Sequence, residues 1–235
     1  MSNTSVLLYV PNLLCYARIL LAIYGLFILQ TKQQQPVEVE NQSFTESHRS
    51  YLIAVTSAIF TDLLDGYFAR LLSQCSTLGI FLDVVADNIL RTTLWVGAIV
   101  VEPKCLVLGT MVICLEWSTF VCAQLTAVRK KMGHWKHRDT PLPWIIQKFF
   151  ENGFKNILGG SGIISLFFTP LYIFLKKTDG LQSVLGSTIK LGDDYYIGLY
   201  LFMFRAFCGC VEIYFIFEYI KSLIDEHDDE RGKRS

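Results

Sequence analysis

Six apolar runs of roughly 20 residues each, near 12–30, 50–72, 81–101, 104–126, 157–175 and 196–220, restrict the fold of this chain more than any other feature. Runs of that length read as membrane-spanning helices. The expected fold is therefore all-α: a polytopic membrane protein whose six transmembrane helices form a single domain over residues 1–225, followed by a charged cytoplasmic tail at 226–235. A hydrophobic content of 52% in 235 residues excludes an ordinary soluble domain. The first run lacks the basic leader and small-residue cleavage site of a signal peptide, and Pro11 suits the first turn of a helix that persists.

Four carboxylates interrupt this apolar background. Asp62 and Asp65 are three residues apart, and Asp83 and Asp87 are four apart, so on two helices each pair projects from one face. An unpaired ionised Asp inside a bilayer costs a few kcal/mol or more, about 3 on insertion scales. Two helices that turn these faces together gather four negative charges in a small volume. Hard divalent cations with oxygen ligands, Mg²⁺ or Mn²⁺, relieve that repulsion and leave coordination positions for water and phosphate. Gly66 and Gly79 present no side chain to obstruct a ligand, Arg70 offers a fork of donors suited to phosphate oxygens, and Ser76 adds a hydroxyl. A lone intramembrane Asp is often the structural partner of an Arg; four at this spacing, with both glycines and the Arg, point to chemistry.

The string Asp62-x2-Asp65-Gly66-x2-Ala69-Arg70-x8-Gly79-x3-Asp83-x3-Asp87 resembles, position for position, the signature of the CDP-alcohol phosphatidyltransferase family. Val10-Pro11-Asn12-Leu13-Leu14-Cys15-Tyr16-Ala17-Arg18-Ile19 is similar to the opening of its eukaryotic phosphatidylinositol synthase branch. The resemblance is clear over residues 6–100, weaker over 101–136 and poor afterwards. It implies the six-helix fold of that family and transfer of a phosphatidyl group from CDP-diacylglycerol to an alcohol, with myo-inositol as acceptor and phosphatidylinositol and CMP as products. Two ions, Mg²⁺ or Mn²⁺, would be held by Asp62, Asp65 and Asp83 with Asp87 at the edge, and Asp87 would be the catalytic base. Gly66, Arg70, Ser76, Gly79 and Asn12 would contact CDP-diacylglycerol, and Arg18 and Glu116 would line the acceptor cavity. A homodimer in membrane lipid of the endoplasmic reticulum is implied as well, with no nucleic-acid partner. Two alternatives stay open: a sister transferase using serine or glycerol 3-phosphate, and a catalytically silent membrane paralogue or scaffold.

The distribution of Lys and Arg sets the expected orientation, the formal net charge being zero. Arg129, Lys130, Lys131, Lys136 and Arg138, the tail residues Arg231, Lys233 and Arg234, and the Arg70 loop fall on one side of six spans, which becomes cytoplasmic. The carboxylates then open to the cytosol, and the sequon at Asn41 falls on the opposite side. The seven cysteines show no metal-type spacing and read as packing residues.

The later chain departs from the resembling enzymes. Thr119-Phe120-Val121 stands where they carry Ser-His-Trp, and Lys155 with the Gly159–Gly162 run replaces a segment bearing Arg and polar groups. A run of small residues is expected to bring helix backbones close. Trp144, Phe149, Phe150 and Phe154, mixed with lysines, suggest an interfacial segment, and Glu212 is expected to pair with Arg205 two turns away.

Overall fold

The computed structural model describes residues 4–33, 46–129, 142–180 and 193–232. In chain order the elements are α1 (Thr4–Leu7), α2 (Val10–Gln33), α3 (Glu46–Leu71), α4 (Thr77–Val101), α5 (Leu106–Arg129), α6 (Trp144–Phe150), α7 (Ile157–Lys177) and α8 (Asp193–Gly232), with single 3₁₀ turns at Pro103–Cys105 and Glu151–Phe154. Among the described residues there is no strand. Among the described residues six stretches are long and apolar enough to cross a membrane: Val10–Thr31, Glu46–Leu71, Thr77–Val101, Pro103–Val128, Ile157–Lys177 and Tyr195–His227. They coincide with the six apolar runs, so the all-α, six-helix fold expected from the sequence is what the chain adopts. Asn41, the basic residues Lys130 to Arg138, and Lys233 and Arg234 lie outside the described residues.

The chain forms two compact units. The first comprises residues 1–110 and 167–196. In it α2 packs against both α3 and α4 along a stripe of small or polar side chains. Asn12, Cys15, Arg18, Ala22 and Leu29, spaced three, four or seven apart, are all buried on α2. Gly25 lies on the same stripe, where an added Cβ would stand 3.2 Å from the Tyr51 ring. Tyr51 of α3 is wholly buried, tilts against the Phe174 ring at a centroid separation of 4.7 Å and donates its hydroxyl hydrogen to the Thr93 carbonyl of α4. Gly97 is what admits that ring, because a Cβ there would overlap the Tyr51 hydroxyl. Small residues thus do between these helices what the hydrophobic effect does in water: they let backbones and side chains approach closely enough for dispersion to hold them.

The turn between α3 and α4 occupies only five residues, 72–76. Ser73 takes a left-handed backbone, φ +52°, and the Gln74 amide bonds back to the Ala69 carbonyl at 2.9 Å, closing the end of α3. Ser76 then caps α4, its hydroxyl accepting from the Gly79 amide at 3.0 Å. This short reversal is what brings the two halves of the aspartate string to neighbouring helices.

The second unit comprises residues 111–166 and 197–235. Ile146, Val211 and Phe215 form its apolar centre, with Phe150 and Phe207 against them. Phe149 meets Phe150, Phe154 and Phe207 edge to face, at centroid separations of 5.2, 5.4 and 5.5 Å. The interfacial reading of this aromatic segment is therefore corrected for Phe149, which is buried by ring packing, whereas Trp144 is exposed with Lys148 over its ring. The small-residue run behaves as expected of a contact: a Cβ on Gly159 would strike the Phe149 carbonyl, and one on Gly162 the Phe149 ring. Ser161 of the same run is buried and meets the Tyr200 hydroxyl at 2.5 Å.

Candidate active site

The string of acidic residues is divided between α3 and α4, and all four carboxylates converge on one side chain from α2. Arg18 is completely buried. Its Nη1 donates to Asp87 Oδ1 at 2.6 Å and to Asp83 Oδ1 at 3.2 Å. Its Nη2 lies 2.9 Å from Asp62 Oδ1 and donates to Asp65 Oδ2. Charge-assisted contacts of this kind are the strong ones in a low-dielectric setting, and a guanidinium can fork between several carboxylates as a compact ammonium cannot. Four acids facing one guanidinium leave an excess of negative charge in the cluster.

Exposure grades across it. The Asp65 side chain is 8% exposed, Asp87 24%, Asp62 31% and Asp83 44%, so the cluster is open on the Asp62 and Asp83 side and closed where Arg18 lies. One oxygen from each of Asp62, Asp83 and Asp87 lies within 4.8 Å of the others, and ligand atoms of Cys15, Asp65 and Asp83 meet the same limit. An all-oxygen set matches the preference of Mg²⁺ or Mn²⁺, whereas the Cys15 thiol suits neither. By donor chemistry the residues fit a hard divalent ion, with Asp62, Asp83 and Asp87 supplying the oxygens that lie close enough together to share one.

Three side chains that motif spacing did not single out belong to this neighbourhood. Cys15, one turn before Arg18 and read from sequence as packing, holds its sulfur 3.6 Å from Asp65 Oδ2. Arg91, one turn beyond Asp87 on α4, places Nη1 3.9 Å from Asp87 Oδ2, and its guanidinium lies 5.5 Å from the centre of the Phe167 ring. Asn88 is buried and accepts from Arg91. Their positions in the sequence are near the site without marking a role: Cys15 lies on the Asn12–Arg18 face of α2, Asn88 follows Asp87 directly, and Arg91 is the fourth residue after Asp87.

The donor-side residues lie on the same unit. Asn12 is wholly buried; its amide donates to the Val6 carbonyl at 2.7 Å while its Oδ1 has no hydrogen-bond partner. Gly79 makes room for that oxygen, since a Cβ there would stand only 2.9 Å from it. The Ser76 hydroxyl, expected to face phosphate, is engaged in capping α4. Gly66 faces the exposed Arg70, whose Nη atoms lie 3.7 and 3.8 Å from where its Cβ would be.

Glu116 lies in the second unit. Arg205 donates to Glu116 Oε1 at 3.0 Å and to Glu212 Oε2 at 3.1 Å, so the anticipated Arg205–Glu212 pair exists and Glu116 shares the same cation. Arg205 and Glu116 are both buried.

Set beside known proteins, the chain matches the family model for CDP-alcohol phosphatidyltransferase over residues 8–150, more than half of its length. It belongs to the CDP-alcohol phosphatidyltransferase family. The matched span contains the whole aspartate string and Arg18. Among curated proteins the chain is 36% identical over 81 residues to the CDP-diacylglycerol–glycerol-3-phosphate 3-phosphatidyltransferase of Bacillus subtilis (strain 168), an alignment covering 34% of this chain and 42% of that enzyme. The chain thus spans less than half the length of this relative. No solved structure matches it.

Proposed function

We propose that this chain is a membrane-embedded, metal-dependent transferase that moves a phosphatidyl group from CDP-diacylglycerol to a small alcohol and releases CMP. The observation that carries the reading is the convergence of Asp62, Asp65, Asp83 and Asp87 from two helices, in a chain of this family. In the proposed reaction the acceptor hydroxyl oxygen forms a bond to the phosphorus that bears the diacylglyceryl group. The bond from that phosphorus to the bridging oxygen breaks, the electron pair leaves with CMP, and the hydroxyl proton passes to Asp87. Two bound Mg²⁺ or Mn²⁺ ions, held by Asp62, Asp65 and Asp83 with Asp87 at the edge, would polarise the phosphorus and stabilise the leaving phosphate. Gly66, Arg70, Gly79, Ser76 and Asn12 would hold the nucleotide and its phosphates. Arg91 beside Asp87 opposes the repulsion that a carboxylate base meets among other carboxylates.

As acceptor we propose myo-inositol, on the likeness of Val10–Ile19 to the opening of the phosphatidylinositol synthases. A second reading, glycerol 3-phosphate, is favoured by the substrate named in the Bacillus relative. We further propose a homodimer of the endoplasmic reticulum with the carboxylates facing the cytosol, the domain running through residue 225.

Inositol is expected to saturate weakly. A site that recognises a polyol must offer it donors and acceptors. In the segment where resembling enzymes carry polar groups, the Thr119 hydroxyl is bonded to the Leu115 carbonyl at 2.9 Å, Phe120 is apolar, and Gly159 and Gly162 are packed against Phe149. Purified protein given CDP-diacylglycerol, Mn²⁺ and, separately, myo-inositol, glycerol 3-phosphate or serine should form mainly phosphatidylinositol, with an inositol KM at or above about 1 mM, the top of the usual range. A larger kcat/KM for glycerol 3-phosphate would replace the first reading with the second.

A further inference from the structure

Arg18 is fully buried, carries one positive charge, and has both Nη atoms against four carboxylates supplied by two other helices. Its Nε has no hydrogen-bond partner, so all the directed interactions of the guanidinium run to the aspartates. A buried cation this fully surrounded by acids is needed wherever the acids would otherwise repel one another in low dielectric. Yet the oxygens it engages belong to the residues that would bind a divalent ion. The two cations compete for the same negative charge.

We infer that Arg18 is a built-in counter-cation: it holds the four aspartates together in the metal-free protein and yields part of that carboxylate charge when a divalent ion binds. This rests on the metal reading proposed above. The geometry gives it direction. Arg18 occupies the closed side of the cluster, beside the 8% exposed Asp65, while Asp62 and Asp83 are the open ligands. An incoming ion therefore meets acids already converged, and pays for entry by weakening contacts to Arg18. The charge of Arg18 lowers divalent affinity, and its fork keeps the ligand set assembled between turnovers.

The test uses the full-length protein in detergent or nanodiscs, with Mn²⁺ alone as the probe, in three forms: wild type, Arg18→Gln and Arg18→Lys. Mn²⁺ binding is followed by electron paramagnetic resonance of the free ion, and stability by melting in chelator and in Mn²⁺. In chelator Arg18→Gln should melt several degrees below wild type. Saturating Mn²⁺ should close most of that gap, and its Mn²⁺ affinity should be at least about tenfold tighter, because a neighbouring positive charge is gone. Arg18→Lys keeps the charge and loses the fork, so it should bind Mn²⁺ as wild type does while melting lower in chelator, a difference that Mn²⁺ leaves in place because equal affinity stabilises both proteins equally. Equal or weaker Mn²⁺ binding by folded Arg18→Gln would overturn the inference. Should Arg18→Gln fail to fold, an Arg18→Lys protein that melts like wild type in chelator would overturn it instead. A wild type that binds no Mn²⁺ would sink the metal reading itself and the exchange with it; the chelator melts judge the counter-charge claim independently.

Discussion

Replacing Asp83 by Asn is expected to lower phosphatidyl transfer by about 10²–10³-fold or more, the scale on which loss of one charge-stabilising group acts at a transition state, while the protein stays folded in the membrane. Asp83 has the most exposed side chain of the four, 44%, and its contact to Arg18 is the longest at 3.2 Å. The amide keeps the shape and a carbonyl oxygen but removes the ligand charge that a hard divalent ion requires. Arg18 retains its contacts to Asp62, Asp65 and Asp87, so helix packing should be undisturbed. CMP release from CDP-diacylglycerol, measured beside size-exclusion behaviour and melting, separates the two effects. Wild-type turnover by Asp83→Asn in excess Mn²⁺ would argue that the carboxylate is not a ligand.

The second large effect is on stability. Arg205→Met should destabilise the protein by about 3–5 kcal/mol, because it takes from Glu116 and Glu212 the buried cation that they share. Arg205 lies 3.0 Å from Glu116 and 3.1 Å from Glu212, whose side chains are 4% and 13% exposed. Neutralising those partners as well, in Arg205→Met with Glu116→Gln and Glu212→Gln, should recover most of the loss, since a wholly neutral set carries no stranded charge. Thermal melting in a fixed detergent compares the three proteins. A single Met variant as stable as wild type would mean that the two glutamates find protons or solvent without Arg205.

These two clusters differ in how far they could be read from the chain. The six spans are legible because each apolar run is long enough to cross a bilayer, and the backbone there has few alternatives to a helix. The pairing of Asp62 with Asp65, and of Asp83 with Asp87, follows from helical spacing alone. That the two pairs face each other follows from the five-residue turn at 72–76, which leaves antiparallel neighbours as the natural outcome. Arg18 was recognisable as a charge on an apolar face, but its partners lie 44 to 69 positions away, and no periodicity within α2 identifies them. Cys15 and Arg91 were hidden for a simpler reason. A buried thiol and an Arg near a helix middle are common as packing and snorkelling groups, and only the tertiary neighbour, Asp65 or Asp87, distinguishes them. In the second unit the Arg205–Glu212 pair was visible as a seven-residue spacing along α8, whereas the Glu116 contact reaches across 89 positions. The glycines at 159 and 162 were legible as contact residues, though not their partner, Phe149, which enters from α6.

We propose that the four aspartates serve transfer of a phosphatidyl group. Purified full-length protein in liposomes containing CDP-diacylglycerol labelled in the cytidine tests it directly, with free CMP counted under four conditions: alcohol and Mn²⁺ together, either one alone, and both with excess chelator. Sustained CMP release is expected only when alcohol and Mn²⁺ are both present, matched mole for mole by new phospholipid and abolished by chelator. CMP release that continues undiminished in chelator, or none with any alcohol in the presence of Mn²⁺, would contradict it.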